Sequence, residues 1–85
     1  MKINVVTTGV VEIITYASST IQHSVMNTKT NQLIITFKKQ NDGPVTEYQY
    51  DNVLTESYEL FRDAPSTGKA FLQYIKPYYG LKIID

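Results

Sequence analysis

The spacing between apolar residues changes at Val53, and this change constrains the fold of the 85-residue chain more than any other feature. Before Val53, apolar and polar residues alternate in several segments, as they do in strands with one buried face. After Val53, apolar residues recur every three or four positions, which is the spacing of a helix with one buried face. The sequence therefore predicts a sheet followed by helices, an α+β fold.

The N-terminal half contains several strand-like segments separated by turn residues. Residues 1–16 are rich in β-branched residues and are interrupted by TTG at 7–9, which indicates two short strands or one long bulged strand. Residues 21–27, 32–39 and 45–51 are the next three strands, with polar turns between them. Because consecutive strands usually pair, we expect a small antiparallel β-meander of three to five strands in nearly sequential order.

Two short C-terminal helices are expected after the strands. Leu54, Tyr58 and Phe61 lie at i, i+4 and i+7, which places them on one face of the first helix. Pro65 and Pro77 end the first and second helices. Both helices should pack on one face of the sheet. The expected core includes Leu33, Ile35, Phe37, Tyr48, Tyr50, Tyr58, Phe61, Phe71 and Ile75.

Length and composition fit a single domain, residues 1–85. The chain has no cysteine, which excludes a disulfide framework and a thiolate metal site. It has no apolar run long enough to cross a membrane and no signal-peptide pattern, so we expect a cytoplasmic protein without membrane association. Residues 78–84 form either a further edge strand or a loop.

Charge is balanced over the chain but not along it. Eight basic and eight acidic residues give a formal net charge of zero, so the chain has no long-range attraction for nucleic acid. Six of the acidic residues lie between Asp42 and Asp63, where Arg62 is the only basic residue. The lysines lie outside this acidic segment, where a local basic patch remains able to bind an anion.

The segment TEYQYDNV, residues 46–53, places Tyr48 and Tyr50 on the same face of one strand. Glu47 and Gln49 alternate with them and would make a poor core row, so strand parity assigns the tyrosines to the face that the helices cover. The alternative is a stacking platform on an uncovered sheet face, as in proteins that bind single-stranded nucleic acid.

The start of the second helix is the clearest candidate binding site, because it offers free N–H groups, hydroxyls and an ammonium group to an anion. Its residues are Ser66, Thr67, Gly68 and Lys69. The segment is not a Walker loop, because Asp63 and Ala70 occupy the positions of the first glycine and of the hydroxyl that holds the metal. The structural alternative is capping by Ser66 and close packing at Gly68.

A basic and aromatic helix face extends this candidate site. Lys69 and Lys76 are seven residues apart and Gln73 lies between them, so the spacing predicts that they share one face of the second helix. Tyr79 follows, and basic residues next to aromatic residues are typical of surfaces that bind nucleic acid. The alternative is a solvated helix face without a ligand.

No arrangement in the sequence indicates catalysis. His23 is the only histidine and has no acidic residue adjacent to it, whereas catalytic and metal-binding histidines need such partners. We expect His23 at a surface or half-buried strand position. Glu56 and Glu59 lie early in the first helix, where the helix dipole favours acids. We therefore expect no enzyme activity, no metal and no cofactor.

Several short motifs occur in the order in which a known family carries them. They are Ser18-Ser19-x-Ile21, Tyr48-x-Tyr50-x-x-Val53, Tyr58-Glu59-Leu60, Ala64-Pro65-Ser66-x-Gly68-Lys69 and Phe71…Ile75-Lys76. This set resembles the KTSC domain, a small module named for its place at the C-terminus of some lysyl-tRNA synthetases. The resemblance covers residues 18–79, and residues 1–17 form an N-terminal β extension. Association with the synthetases implies RNA binding.

Two functional hypotheses come from these features. The first is a non-catalytic binding module for RNA or a phosphate-bearing nucleotide. The alternative is a protein–protein interaction module, such as a small phage or mobile-element factor that binds a host protein or self-associates as a homo-oligomer. Residues 1–16 favour the alternative, because they hold more apolar residues than one face of a small sheet needs. A symmetric assembly that encloses a nucleotide between subunits is compatible with both.

Overall fold

A computed structural model describes residues 1–38, 45–78 and 80–84. Its strands form one antiparallel sheet in the order β1-β2-β3-β4-β5-β6. The strands are β1 Lys2–Thr8, β2 Val11–Tyr16, β3 Ile21–Asn27, β4 Gln32–Phe37, β5 Thr46–Tyr50 and β6 Gly80–Ile84. Between β5 and β6 lie helix α1, Thr55–Arg62, and helix α2, Thr67–Ala70, which continues into a π-helical turn, Phe71–Ile75.

The α+β class and the antiparallel meander are confirmed. Five strands precede the helices in sequential order, and β6 follows the helices and pairs with β5. The sheet therefore has one strand more than the upper limit of the expected range, because the C-terminal tail joins it. Residues 1–16 form two strands, since Gly9 takes a positive φ of 59° in the turn between them. The turn expected at residues 40–44 lies outside the described residues.

Both helices pack on the same face of the sheet. The strand register aligns Ile14, Ser24, Ile35 and Tyr48 in one row across β2 to β5. A second row on this face contains Met26, Leu33 and Tyr50. Contacts such as the one between the rings of Tyr16 and Phe61, whose centroids are 5.4 Å apart, join the sheet to α1. Among the described residues, no helix is long and apolar enough to span a membrane.

The buried core lies between this face and the helices. Six of the expected core residues are buried: Leu33, Ile35, Tyr50, Tyr58, Phe61 and Ile75. The other three, Phe37, Tyr48 and Phe71, are partly buried and pack against the core. The core also contains Ile14, Tyr16, Ile21, Met26, Val53 and Ala70. Strands β2 and β3 are thus part of the main core, because the helices cover them as well as β4 and β5.

A polar network joins β1 and β2 to α1. The Glu12 carboxylate accepts hydrogen bonds from the Tyr58 hydroxyl and, at 3.3 Å, from the Arg62 guanidinium. Arg62 also donates two 2.8 Å bonds to Asp63, and Lys2 approaches Asp63 at 2.6 Å. These bonds from Arg62 and Lys2 hold the pKa of Asp63 well below its usual range. The network therefore anchors the first strand to the end of α1.

Candidate functional site

A groove of about 1150 Å³ lies between the sheet and the corner that joins the two helices. Its walls come from the loop between β2 and β3, the end of β4, the length of β5, and the helix corner with α2 and its π-helical turn, followed by Gly80 at the start of β6. The groove thus combines segments from four parts of the chain that are distant in sequence.

Four aromatic rings form the floor of the groove. Phe37 lies edge-on to Phe71 at 5.3 Å and to Tyr48 at 5.9 Å between ring centroids. Tyr50 contacts Phe71 at 6.0 Å and stacks beside Tyr48 at 6.4 Å. Edge-to-face and offset stacked pairs at these distances are stabilising. Only 4% of Tyr50 is exposed, whereas Tyr48 is half-buried and keeps part of its surface open to the groove.

Tyr50 remains uncharged at neutral pH. Burial, with a smaller contribution from the neighbouring Tyr48, raises the pKa of Tyr50 to about 12. Tyr50 therefore adds no negative charge to the floor of the groove that would repel an anion.

Three lysines line the groove: Lys38, Lys69 and Lys76. Among the described lining residues there is no aspartate or glutamate. Within the described part of the chain, none of the three lysines forms an ion pair with a carboxylate. Among the described residues, no carboxylate therefore balances these positive charges at the groove, and such a surface attracts anions.

Hydroxyl groups line the side of the groove formed by the loop between β2 and β3. The Ser18 hydroxyl accepts 3.2 Å hydrogen bonds from the N–H groups of Thr20 and Ile21, so it holds the loop in a turn. Gly68 of α2 faces this loop, and a Cβ at Gly68 would lie 3.2 Å from the Thr20 hydroxyl oxygen. The glycine therefore allows the helix corner to approach this loop closely. The close packing expected at Gly68 is thus against the loop between β2 and β3.

The residues predicted for the binding site fall in different places. Ser66, Gly68, Lys69 and Lys76 line the groove. Thr67 also borders it, but only 2% of this residue is exposed, and its hydroxyl accepts a hydrogen bond from the amino group of Met1. Gln73 is exposed and is not part of the described groove lining. Tyr79 lies outside the described residues.

Sequence reasoning missed Lys38 and the loop between β2 and β3. Lys38 follows β4, and its N–H donates a 2.8 Å hydrogen bond to the carbonyl of Thr20. This bond joins two segments that are 18 residues apart in sequence. They lie beside Lys69 of α2, which is a further 31 residues along the chain. No local pattern predicts this meeting, although the serines of the loop belong to the motifs that carry the family resemblance.

His23 lies on the other face of the sheet, half-buried, where its register partners are Thr15 and Thr36. The half-buried strand position agrees with the expectation from sequence. Among residues 1–38, 45–78 and 80–84, no group of three or more histidine, aspartate or glutamate side chains is placed to hold a metal ion.

The fold and the groove define a small α+β domain with helices on one face of an antiparallel sheet. A family model for the KTSC domain matches residues 17–79 of the chain. The chain therefore belongs to the KTSC domain family, which confirms the resemblance found in its motifs. No curated protein and no solved structure gives a significant match.

Most of the motif residues that carry the family resemblance lie in the core or at the groove. Ile21, Val53, Tyr58 and Ile75 are buried in the core. Ten others line the groove: Ser18, Ser19, Tyr48, Tyr50, Pro65, Ser66, Gly68, Lys69, Phe71 and Lys76. The remaining three, Glu59, Leu60 and Ala64, are outside the described groove lining. Most of the motif residues, although scattered along the sequence, therefore belong to one surface of the folded domain and the core beneath it.

Proposed function

We propose that the protein is a non-catalytic binding module whose groove holds RNA or a phosphate-bearing nucleotide. One observation carries this proposal: the groove of a chain with zero formal net charge is lined by three lysines and, among its described residues, by no carboxylate. Lysine ammonium groups bind phosphate as point charges and tolerate a range of phosphate positions.

The floor of the groove supports a ligand that contains a base as well as a phosphate. Tyr48 offers part of its ring to the groove beside the ring of Phe37. Stacking of a base on an aromatic side chain contributes about 1–3 kcal/mol and tolerates any base. The exposed hydroxyls of Ser19 and Ser66 are further donors for phosphate or sugar oxygens.

A charge-reversal experiment tests the proposed function. We expect labelled single-stranded RNA to bind the protein at low salt, and the double variant Lys69→Glu and Lys76→Glu to weaken binding at least about tenfold, or about 1.4 kcal/mol. Fluorescence anisotropy measures both affinities. Lys29→Glu is the matched control, because Lys29 is exposed in the turn before β4 and outside the groove. Binding of neither RNA nor a nucleotide, or equal loss in the control, would contradict the proposal.

A second candidate function is self-association through β1, and the exposed edge of the sheet favours it. All seven residues of β1 are exposed, and β1 is the first strand in the sheet order. Val6 of β1 begins a register-aligned apolar row on the face opposite the helices. The row continues through Ile13, Val25 and Ile34. An unguarded edge strand pairs readily with another strand, and twofold symmetry makes pairing between two copies of β1 antiparallel.

The oligomeric state tests this second candidate. Light scattering should give about twice the 9.7 kDa mass of one chain, and Val6→Lys should shift the protein towards the monomer because a charge interrupts the apolar row. Leu60→Lys on α1 is the control, since Leu60 and Val6 are each 46% exposed. A substitution is preferable to removing residues 1–17, which would take Ile14 and Tyr16 out of the core. A wild-type monomer at high concentration would exclude this candidate.

A further inference from the structure

The groove is larger than one nucleotide needs. Its volume is about 1150 Å³. Pockets that enclose ligands of drug size, a class that includes a mononucleotide, have volumes of roughly 300–1,000 Å³. A single nucleotide would therefore leave part of the groove filled with water.

The three lysines approach the groove from three separate places. Lys38 follows β4, Lys69 lies in α2, and Lys76 follows the π-helical turn. Seven helical residues, the separation of Lys69 and Lys76, span at most about 10 Å at 1.5 Å per residue. Successive phosphates of a stacked strand rise by about 3.4 Å, so this span covers about three steps from one phosphate to the next and is long enough for these two lysines to meet different phosphates. Because their backbones lie in three separate places, the three lysines are better placed to contact successive phosphates of a strand than to surround one phosphate group.

The aromatic floor of the groove favours a single-stranded ligand over a duplex. The bases of a duplex are paired and stacked on each other, so their faces cannot reach a ring at the bottom of a groove. Tyr48 is half-buried between Phe37 and Tyr50, and only its open part is available for stacking. A base must leave its stack to contact this ring, and bases do so readily in single strands.

We infer that the groove binds a single-stranded stretch of nucleic acid that carries at least three phosphates, with Lys38, Lys69 and Lys76 on different phosphates and Tyr48 against a base. This inference rests on the proposed function and narrows its ligand class. It also assigns a phosphate contact to Lys38, which directly follows β4 and lies outside the helix face that the sequence indicated.

The salt dependence of binding tests the inference. Each phosphate contact with a single strand contributes roughly −0.7 to the slope of log K against log salt concentration, so three contacts predict a slope of about −2. The probe is a labelled oligoribonucleotide of about six nucleotides, titrated between about 50 and 200 mM salt. Lys38→Ala should make the slope shallower by about 0.7, whereas Lys29→Ala should leave it unchanged. Adenosine monophosphate should compete at least about tenfold more weakly than the unlabelled oligonucleotide.

The outcomes separate this inference from the proposed function. If adenosine monophosphate competes as well as the oligonucleotide, or if Lys38→Ala leaves the slope unchanged, the inference is wrong and the nucleotide-binding function stands. Equal binding of a duplex of the same length, or equal competition by an acidic peptide, would also overturn the inference. If neither nucleotide nor oligonucleotide binds, the inference and the proposed function both fail. Circular dichroism of each variant confirms that it is folded before binding is measured.

Discussion

At the scale of single residues, Gly80 determines how closely β6 approaches the floor of the groove. A Cβ at Gly80 would lie 2.5 Å from the Tyr50 Cε1 atom and 2.9 Å from its Cζ atom. Gly80 and Tyr50 are register partners on adjacent strands, so neither can move without disturbing their pairing. The absence of a side chain at residue 80 therefore lets the Tyr50 ring stay in its buried position against Phe71.

The substitution Gly80→Ala should destabilise the protein. The added methyl group overlaps the Tyr50 ring, and overpacking of this kind typically costs about 1–3 kcal/mol of the free energy of unfolding. Gly68→Ala is the comparison, because its new methyl group would meet only the Thr20 hydroxyl at 3.2 Å. Urea denaturation of both variants measures the difference. Equal stability of Gly80→Ala and the wild type would contradict the close packing at Tyr50.

At the scale of elements, helix α1 depends on a residue from the other end of the helical segment. Leu54 occupies the N-cap position of α1, and no side chain at that position caps the helix. The Tyr78 hydroxyl instead accepts a 3.2 Å hydrogen bond from the N–H of Leu54 and donates a 3.0 Å bond to the Ser57 hydroxyl. Because the first N–H groups of a helix have no partners within it, this contact stabilises the start of α1.

Replacing Tyr78 by phenylalanine should weaken this end of α1. Loss of the hydroxyl removes both hydrogen bonds, and a lost helix cap typically costs about 1 kcal/mol of the free energy of unfolding. Tyr74→Phe is the matched control, since Tyr74 is also half-buried and its hydroxyl makes no hydrogen bond with the described residues. Thermal unfolding of the two variants compares them. A Tyr78→Phe variant as stable as Tyr74→Phe would show that the contact contributes nothing.

The π-helical turn is the second element that shapes the groove. The N–H of Lys76 donates a 2.8 Å hydrogen bond to the carbonyl of Phe71, five residues earlier. A π turn widens the helix and changes the direction of the residues after it, and such turns often occur at functional sites. Here the π turn lies between Lys69 and Lys76. The prediction that Gln73 shares a face with these lysines assumed regular helical spacing, whereas Gln73 is not part of the described groove lining.

At the scale of the whole molecule, burial changes the ionisation of three tyrosines. Burial raises the pKa of Tyr16 and of Tyr50 to about 12. It also raises the pKa of Tyr58, with a further increase from the hydrogen bond to Glu12. Because the folded state favours the neutral phenols, the stability from this effect is complete below the unfolded pKa of about 10 and decreases as pH rises above it.

An alkaline titration should therefore show late ionisation of the three buried tyrosines. We expect Tyr16, Tyr50 and Tyr58 to ionise only as the protein unfolds above about pH 10. Tyrosinate absorbance measures ionisation, and circular dichroism at the same pH values measures folding. Tyr16→Phe should remove part of the late absorbance change. Ionisation of Tyr16, Tyr50 and Tyr58 near pH 10 in a folded protein would contradict this expectation.

Much of the fold could be predicted because strands and helices have short periods. Parity placed Tyr48 and Tyr50 on one face of β5, and the structure puts that face against the helices. Strand parity alone could not predict that one of the two rings is more deeply buried than the other. Tyr50 is buried and Tyr48 half-exposed, and Gly80, a partner of Tyr50 from the far end of the chain, contributes to this difference.

The sequence by itself determined the α+β class, the family, the order of the meander and two of the lysines at the groove. These features come from local periodicity and ordered motifs, which do not depend on distant parts of the chain. Only the tertiary structure brought Lys38 and the loop between β2 and β3 to Lys69 and Lys76 around an aromatic floor. Such meetings depend on strand register and helix packing over long sequence separations, and no local pattern encodes them.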